Sequence, residues 1–161
     1  MEIDIKAWTN WTFKGGDRWN DWQPLSMEVI ADVQRKAGAY VLGLPASKRP
    51  LGRLIQADPH GILDVGESSN LNQRLRDLHR CMSTEGERGH MAGWRLGSGG
   101  LLRQLSLTPS RFEVSWCYAQ TETKDEAYRI EGTILRAYYG LFGELPPLNY
   151  KFNWSTWEEG A

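Results

Sequence analysis

"GILDVGESSNLNQRLRDLH" (61–79) sets the frame of the fold. Ile62, Leu63 and Val65 make a short apolar run closed by Gly66. Such a run, bounded by turn residues, reads as a buried strand. Ser69 and Asn70 follow, and either can accept from the orphan N–H groups that open a helix. Asn70 with Gln73 forms a loose capping box. Leu71, Leu75, Leu78 and Met82 then recur at helical spacing, which predicts one buried face. Arg74 sits one residue off that stripe, at a border from which its side chain can reach a cleft. The discordant residue is Asp64, a charge in a run that otherwise belongs inside.

Upstream, "PLSMEVIADVQRKAG" predicts a helix capped by Ser26, with Val29, Ile30 and Val33 on its apolar face and Gly38 at its end. "AYVLGL" (39–44) reads as a buried strand. "GRLIQ" (52–56) and "GILDV" (61–65) read as two short strands joined by the turn residues of "ADPHG". Downstream, residues 83–100 are glycine-rich and are expected to be mobile, and "LLRQL" predicts a turn of helix. In "RFEVSWCYAQ" the residues Phe112, Val114, Trp116 and Tyr118 alternate with Glu113, Ser115 and Cys117, the pattern of a half-buried strand. Thr123 and Glu126 form a capping box for a helix running to about Gly140, with Ile130, Ile134, Ala137 or Tyr138, and Leu141 as its core stripe and Glu131 beside it. "GELPPLNYKFNW" turns on two prolines and presents Asn149 in a fixed loop. The predicted fold is α+β, a small, mostly antiparallel sheet of three to four strands flanked by helices.

The chain of 161 residues is long enough for one domain with a sizeable core. Eight tryptophans stand out, four of them (Trp8, Trp11, Trp19, Trp22) in the first 25 residues. They are expected to cover one side of the core rather than to stack bases. No run approaches the roughly 18 apolar residues of a membrane span. Met1 is followed by Glu2 and Asp4, so no secretory signal is expected and the cytoplasm is the default location. Cys81 and Cys117 lack metal-ligand spacing and are expected to be buried free thiols. Net charge is −1, yet residues 46–111 hold ten Lys/Arg against six Asp/Glu, an excess of +4. This basic middle is either solvated surface or a face for phosphates.

The histidines, His60, His79 and His90, are far apart and unaccompanied by paired cysteines, so no zinc pattern exists. No Walker loop, G-x-G-x-x-G or G-x-S-x-G occurs, and "GSGG" (97–100) lacks the following Lys-Ser/Thr. The remaining candidates are polar residues at the ends of apolar elements: Tyr40, Asp64, Arg74, Glu131 and Asn149.

In "GAY" (38–40), "DVG" (64–66), Arg74 eight residues after Gly66, Glu131 in the late helix and "PPLN" ending at Asn149, the chain resembles the GIY-YIG nuclease superfamily over about residues 38–152. The resemblance implies three antiparallel strands with helices around them, and makes the strand at 112–119 an addition. It divides the chain into a Trp-rich extension with a short helix packed on the core (1–37), the nuclease-like domain (38–152) and a tail (153–161). It implies divalent-metal-dependent hydrolysis of a phosphodiester in DNA. Arg74 would supply the cation for the transition state, Glu131 would hold one Mg²⁺ or Mn²⁺, Tyr40 would handle the water, and Asn149 would orient a neighbour or the substrate. Arg74, Arg76, Arg80 and Arg95 would contact nucleic acid.

The departure is Asp64, which stands where the family's second signature has tyrosine. Three readings stay open: a base or second metal ligand opposite Glu131; a fixed charge that leaves the site able to bind but not to cut; or a solvent-facing residue. His79 or His90 could assist proton transfer, although both are expected at the surface. The alternatives to a nuclease are an impaired domain of the same kind that binds nucleic acid or a partner protein, and a small interaction domain that uses its Trp-rich ends.

Overall fold

The computed structural model describes residues 4–11 and 19–156. The rest of the expected N-terminal extension (1–3 and 12–18) and the end of the expected tail (157–161) lie outside the described residues.

The helices are α1 (Ile5–Asn10), α2 (Met27–Asp32), α3 (Leu71–Ser83), α4 (Met91–Leu96), α5 (Leu101–Leu105) and α6 (Lys124–Phe142). The strands are β1 (Gln23–Pro24), β2 (Gly38–Gly43), β3 (Ile62–Ser68) and β4 (Glu113–Tyr118). They form one antiparallel sheet in the order β1-β4-β2-β3, so the fold is a small α+β domain with β3 at an edge. No helix of the described residues is long and apolar enough to cross a membrane.

Both sheet faces are covered, because alternate side chains of β2 point to opposite sides. Tyr40 and Leu42 enter a core with Leu71, Leu75 and Leu78 of α3 and Ala92 and Leu96 of α4. Val41 enters the other core with Ile62, Val65 and α6 residues Ile134, Leu135, Tyr138 and Phe142. Trp8 of α1 seals that second core, with its indole edge-on to Tyr138 and Phe142 and its Nε1–H donated to Asp58 at 3.0 Å. The caps are as read: Asn70 accepts from Gln73 N, and Thr123 from Glu126 N. Glu126 reaches back to the N–H and hydroxyl of Thr121, so its box closes two residues upstream of Thr123.

Three segments depart from the sequence reading. First, 52–56 is not a strand. Leu54 and Ile55 are exposed, Arg53 pairs with Glu144, and Leu54 N–H donates to the Glu144 carboxylate. Loop contacts thus take the groups a ladder would have used, and only the bridge Leu51↔Asp58 remains. The third core strand is β4, hydrogen-bonded beside β2, rather than an addition at the rim. Second, α2 stops at Asp32, because the buried amide of Asn72 donates to both Ile30 O and Val33 O and so satisfies carbonyls at its end. Gly38 opens β2 instead of closing that helix. Third, 83–100 holds a packed helix where mobility was expected. A Cβ on Gly93 would lie 2.7 Å from Leu78 O and 2.8 Å from the Cβ of Cys81, so the glycine is what lets α4 lie against α3. Cys81 and Cys117 are both buried, as read.

The β2–β3 pairing carries one irregularity that matters for the site. Leu42 pairs with Asp64 and Gly43 with Ile62, which leaves Leu63 as a bulge. Leu63 therefore joins the α3-side core, while Ile62 and Val65 share the α6 side.

Gly93→Ala is expected to destabilise the protein by about 1–3 kcal/mol through overpacking of the α3–α4 contact, measured by urea unfolding. Unchanged stability would show that the close approach is not needed.

Candidate functional site

Tyr40 faces Gly66 across the β2–β3 ladder, and a Cβ on Gly66 would come 2.5 Å from the tyrosine ring. The missing side chain lets the ring lie across β3 and carry its hydroxyl to the strand edge. There Tyr40 Oη donates to Asp64 Oδ2 at 2.6 Å and meets His90 Nε2 at 2.8 Å. Asp64 is 5 % exposed and His90 3 %, so neither is a surface residue. This removes the solvent-facing reading of Asp64 and corrects the expectation for His90.

The direction of the chain of hydrogen bonds follows from the far side of the imidazole. His90 is the N-cap of α4, and its Nδ1 accepts from Gly93 N–H at 3.3 Å. Burial, helped by the nearby Arg74 charge, pushes the ring down to about 3, so it is neutral at physiological pH. A neutral ring that accepts at Nδ1 carries its proton on Nε2 and donates to Tyr40. The order is Gly93 N–H to His90, His90 N–H to Tyr40, Tyr40 O–H to Asp64. Burial and the Asp64 charge hold Tyr40 well above the ordinary phenol range, so the hydroxyl stays protonated. Burial raises the Asp64 carboxyl to about 6, against the opposing effects of the Tyr40 bond and Arg74.

These groups line a cleft of about 220 Å³ with Gly66, Glu67, Arg74, Glu131 and Asn149. Helices α3 and α6 pack on opposite faces of the sheet, yet Arg74 and Glu131 meet in this one cleft. Arg74 has no ion-pair partner among the described residues. Its Nε is buried without a hydrogen bond, and its Nη1 makes only a long bond to Gly89 O at 3.5 Å. Glu131 is raised to about 7, first by burial and then by Glu67 and Asp64, against the hydrogen bond from Asn153 Nδ2 at 2.6 Å. Glu67 has a buried carboxylate oxygen with no partner among the described residues, and burial raises its carboxyl too.

Asn149 has a different place. Its Oδ1 accepts from Val65 N at 2.9 Å and its Nδ2 donates to Val65 O at 2.8 Å. The side chain thus pairs with the free edge of β3 as a neighbouring strand would, and Leu148 N–H donates to Leu63 O beside it. The four arginines expected on nucleic acid separate. Arg74 is in the cleft. Arg95 donates to Leu148 O and adds positive charge near Asp64. Arg76 is held by Asn72, and Arg80 by Asp77 and Glu87, all away from the cleft wall.

His90 is the site residue that the sequence reading left at the surface. Its signal was faint: a histidine is an uncommon N-cap, and only the glycine three residues on hints at the bond it accepts.

The folded-state carboxyl of Asp64 lies at about 6, above its usual 3.8, so the native state holds this proton more tightly than the unfolded chain. Its contribution to stability is present at low pH and is lost as pH rises through about 6. Asp64→Asn keeps the acceptor for Tyr40 without the charge. The stability of this variant relative to the wild type is expected to rise by about 2 kcal/mol between pH 4 and pH 7.5, read by urea unfolding. Parallel pH profiles would show that the buried charge carries no cost.

No family model, curated protein or solved structure matches the chain, so a function for it stands on the chemistry of this cleft.

Proposed function

We propose that this protein is a divalent-metal-dependent endonuclease of GIY-YIG type that hydrolyses a phosphodiester bond of DNA in the cleft at the β3 edge. The observation that carries the reading is a convergence. One cleft holds a hydroxyl fixed between a donor and an acceptor (Tyr40), an unpaired guanidinium (Arg74) and a carboxylate raised to about 7 (Glu131). A tyrosine, an arginine or a glutamate alone is commonplace, and perturbed groups gathered in a concave site are not.

Arg74 takes the phosphate, because its planar fork suits two oxygens and no carboxylate of the described residues competes within ion-pair distance. It then stabilises the extra charge that builds on those oxygens in the transition state. Tyr40 accepts a proton from the attacking water as its own proton passes to Asp64 Oδ2. The water oxygen bonds to phosphorus as the bond to the leaving oxygen breaks. At about 6, Asp64 is basic enough to take a proton near neutral pH and ionised enough to be ready for it. His90 holds the phenol oxygen in register and supplies no charge. Asp64 thus acts through Tyr40 and differs in that respect from the tyrosine of the resembled signature.

The donor set suits a hydrated Mg²⁺ or Mn²⁺. Glu131 lines the cleft, and Glu67 beside it has an oxygen that no group of the described residues satisfies. Among the described residues no three His, Cys, Asp or Glu side chains form a ready metal cage, and Mg²⁺ in phosphate sites is commonly held by one or two carboxylates with water and substrate. Bound there, the ion would stabilise charge on the phosphate and the leaving oxygen.

The second reading, a domain that binds nucleic acid without cutting, draws on the same carboxylates. Asp64, Glu67 and Glu131 outnumber Arg74 and Lys151 on the cleft wall and repel a phosphate unless a cation intervenes.

Supercoiled plasmid with Mg²⁺ or Mn²⁺ is expected to be nicked, and Arg74→Ala and Glu131→Ala are each expected to lower the rate about a hundredfold or more. Mn²⁺ is expected to raise the melting temperature of the wild type and not that of Glu131→Ala. Nicking that survives both substitutions sinks this site. Salt-sensitive binding with no nicking under either metal supports the second reading.

A further inference from the structure

Helix α4 has two faces with different work. Ala92, Gly93 and Leu96 are buried against the core. Met91 and Trp94, on the other side, are 51 % and 37 % exposed. With Arg88 and Gly89 they wall an almost wholly apolar slot of about 310 Å³, and His90 and Met91 belong both to this slot and to the cleft. The slot is therefore the next position along the surface from the Tyr40–Asp64–Arg74 site.

We infer that this slot receives an unpaired nucleobase of the strand whose phosphate lies at Arg74, so that the substrate is single-stranded or locally unpaired nucleic acid. The inference rests on the nuclease reading of the cleft. Three observations favour a base as the occupant. An indole and a thioether offer a flat, polarisable surface of the kind on which bases stack. Arg88, at the rim, is exposed and has no ion pair among the described residues, which suits the phosphate next to the one on Arg74. The opposite rim of the cleft repeats the pattern with Tyr150, 69 % exposed, and Lys151.

The chemistry of the wall decides between paired and unpaired strands. A base inside a duplex has its faces covered by its neighbours and presents only edges. Reading an edge needs hydrogen-bonding groups, and the interior of the slot has almost none: Arg88 stands at the rim with its guanidinium assigned to a phosphate, Gly89 O already accepts from Arg74, and both His90 nitrogens are engaged. A slot that can grip only a face selects a base that has left the stack, with little preference for which base it is.

The test is fluorescence anisotropy with Ca²⁺ in place of Mg²⁺ and Mn²⁺, so that the carboxylates keep a cation, with labelled oligo-dT of about 12 nucleotides and a blunt duplex hairpin as probes, intact length being checked by gel. The wild type is expected to bind the single strand more tightly. Trp94→Ala is expected to weaken oligo-dT binding about tenfold and hairpin binding much less, with Trp94→Phe retaining most of the affinity. Trp94 is on the solvent side of α4, so the variants are expected to fold, and circular dichroism checks this. Unchanged oligo-dT affinity in Trp94→Ala overturns the inference. So does a change of oligomeric state on sedimentation without a change in oligo-dT binding, since the slot is then a protein contact. A wild type that nicks plasmid but binds both probes equally overturns the inference and leaves the nuclease reading standing. A wild type that neither nicks nor binds removes both.

Discussion

The hydroxyl of Tyr40 donates to a carboxylate that folding has taken out of water, and the surroundings of that bond account for much of the fold around it. Asp64 is raised to about 6, so its ionised form is held against a desolvation penalty and the Tyr40 bond opposes only part of it. To make the bond, the tyrosine ring must lie across β3, which requires Gly66 to lack a side chain. The bulge at Leu63 keeps Asp64 on the Tyr40 side while Ile62 and Val65 pack against α6. The third partner, His90, arrives only because α4 lies close on α3 at Gly93, and the N–H of that same glycine fixes the tautomer of the ring.

Several local rules of stability are broken together among the described residues of the cleft. A buried aspartate, a glutamate raised to about 7, a carboxylate oxygen without a partner and an arginine without an ion pair line the same wall. The ion pairs of the described residues lie elsewhere: Lys36 with Glu122, Arg49 with Glu113, Arg53 with Glu144, Arg80 with Asp77 and Glu87. Buried groups of both signs left unmatched on one concave wall point to a site shaped by something other than folding.

The edge of β3 explains why the C-terminal segment is where it is. An open strand edge invites pairing with another chain. Here Leu148 and Asn149 occupy it, the asparagine by presenting its amide as a backbone mimic to Val65. Asn153 continues the segment onto α6, donating to both Tyr128 O and Glu131. The same stretch therefore protects the sheet and completes the cleft wall. This connects the stability of the edge to the placement of the carboxylate that would hold a metal.

Sequence periodicity and turn chemistry determined the α+β class, strands β2, β3 and β4, the caps of α3 and α6, and the two helices that carry Arg74 and Glu131. Those features depend on interactions within a few residues of chain, so they leave a local signature. Tyr40, Asp64, Arg74 and Glu131 were legible as polar groups beside apolar stripes, and the fold brings them to one cleft. Tertiary structure decided what depends on partners distant in the chain. The segment 52–56 is a loop because Glu144 takes its backbone and its arginine. Residues 91–96 are a packed helix because Gly93 admits Leu78 and Cys81. Asp64 is buried, and His90 is a donor to Tyr40, because a bulge and a close helix contact bring together groups 24 or more residues apart. A carboxylate's solvation and a histidine's tautomer are set by what surrounds them in space, and no spacing along the chain encodes that.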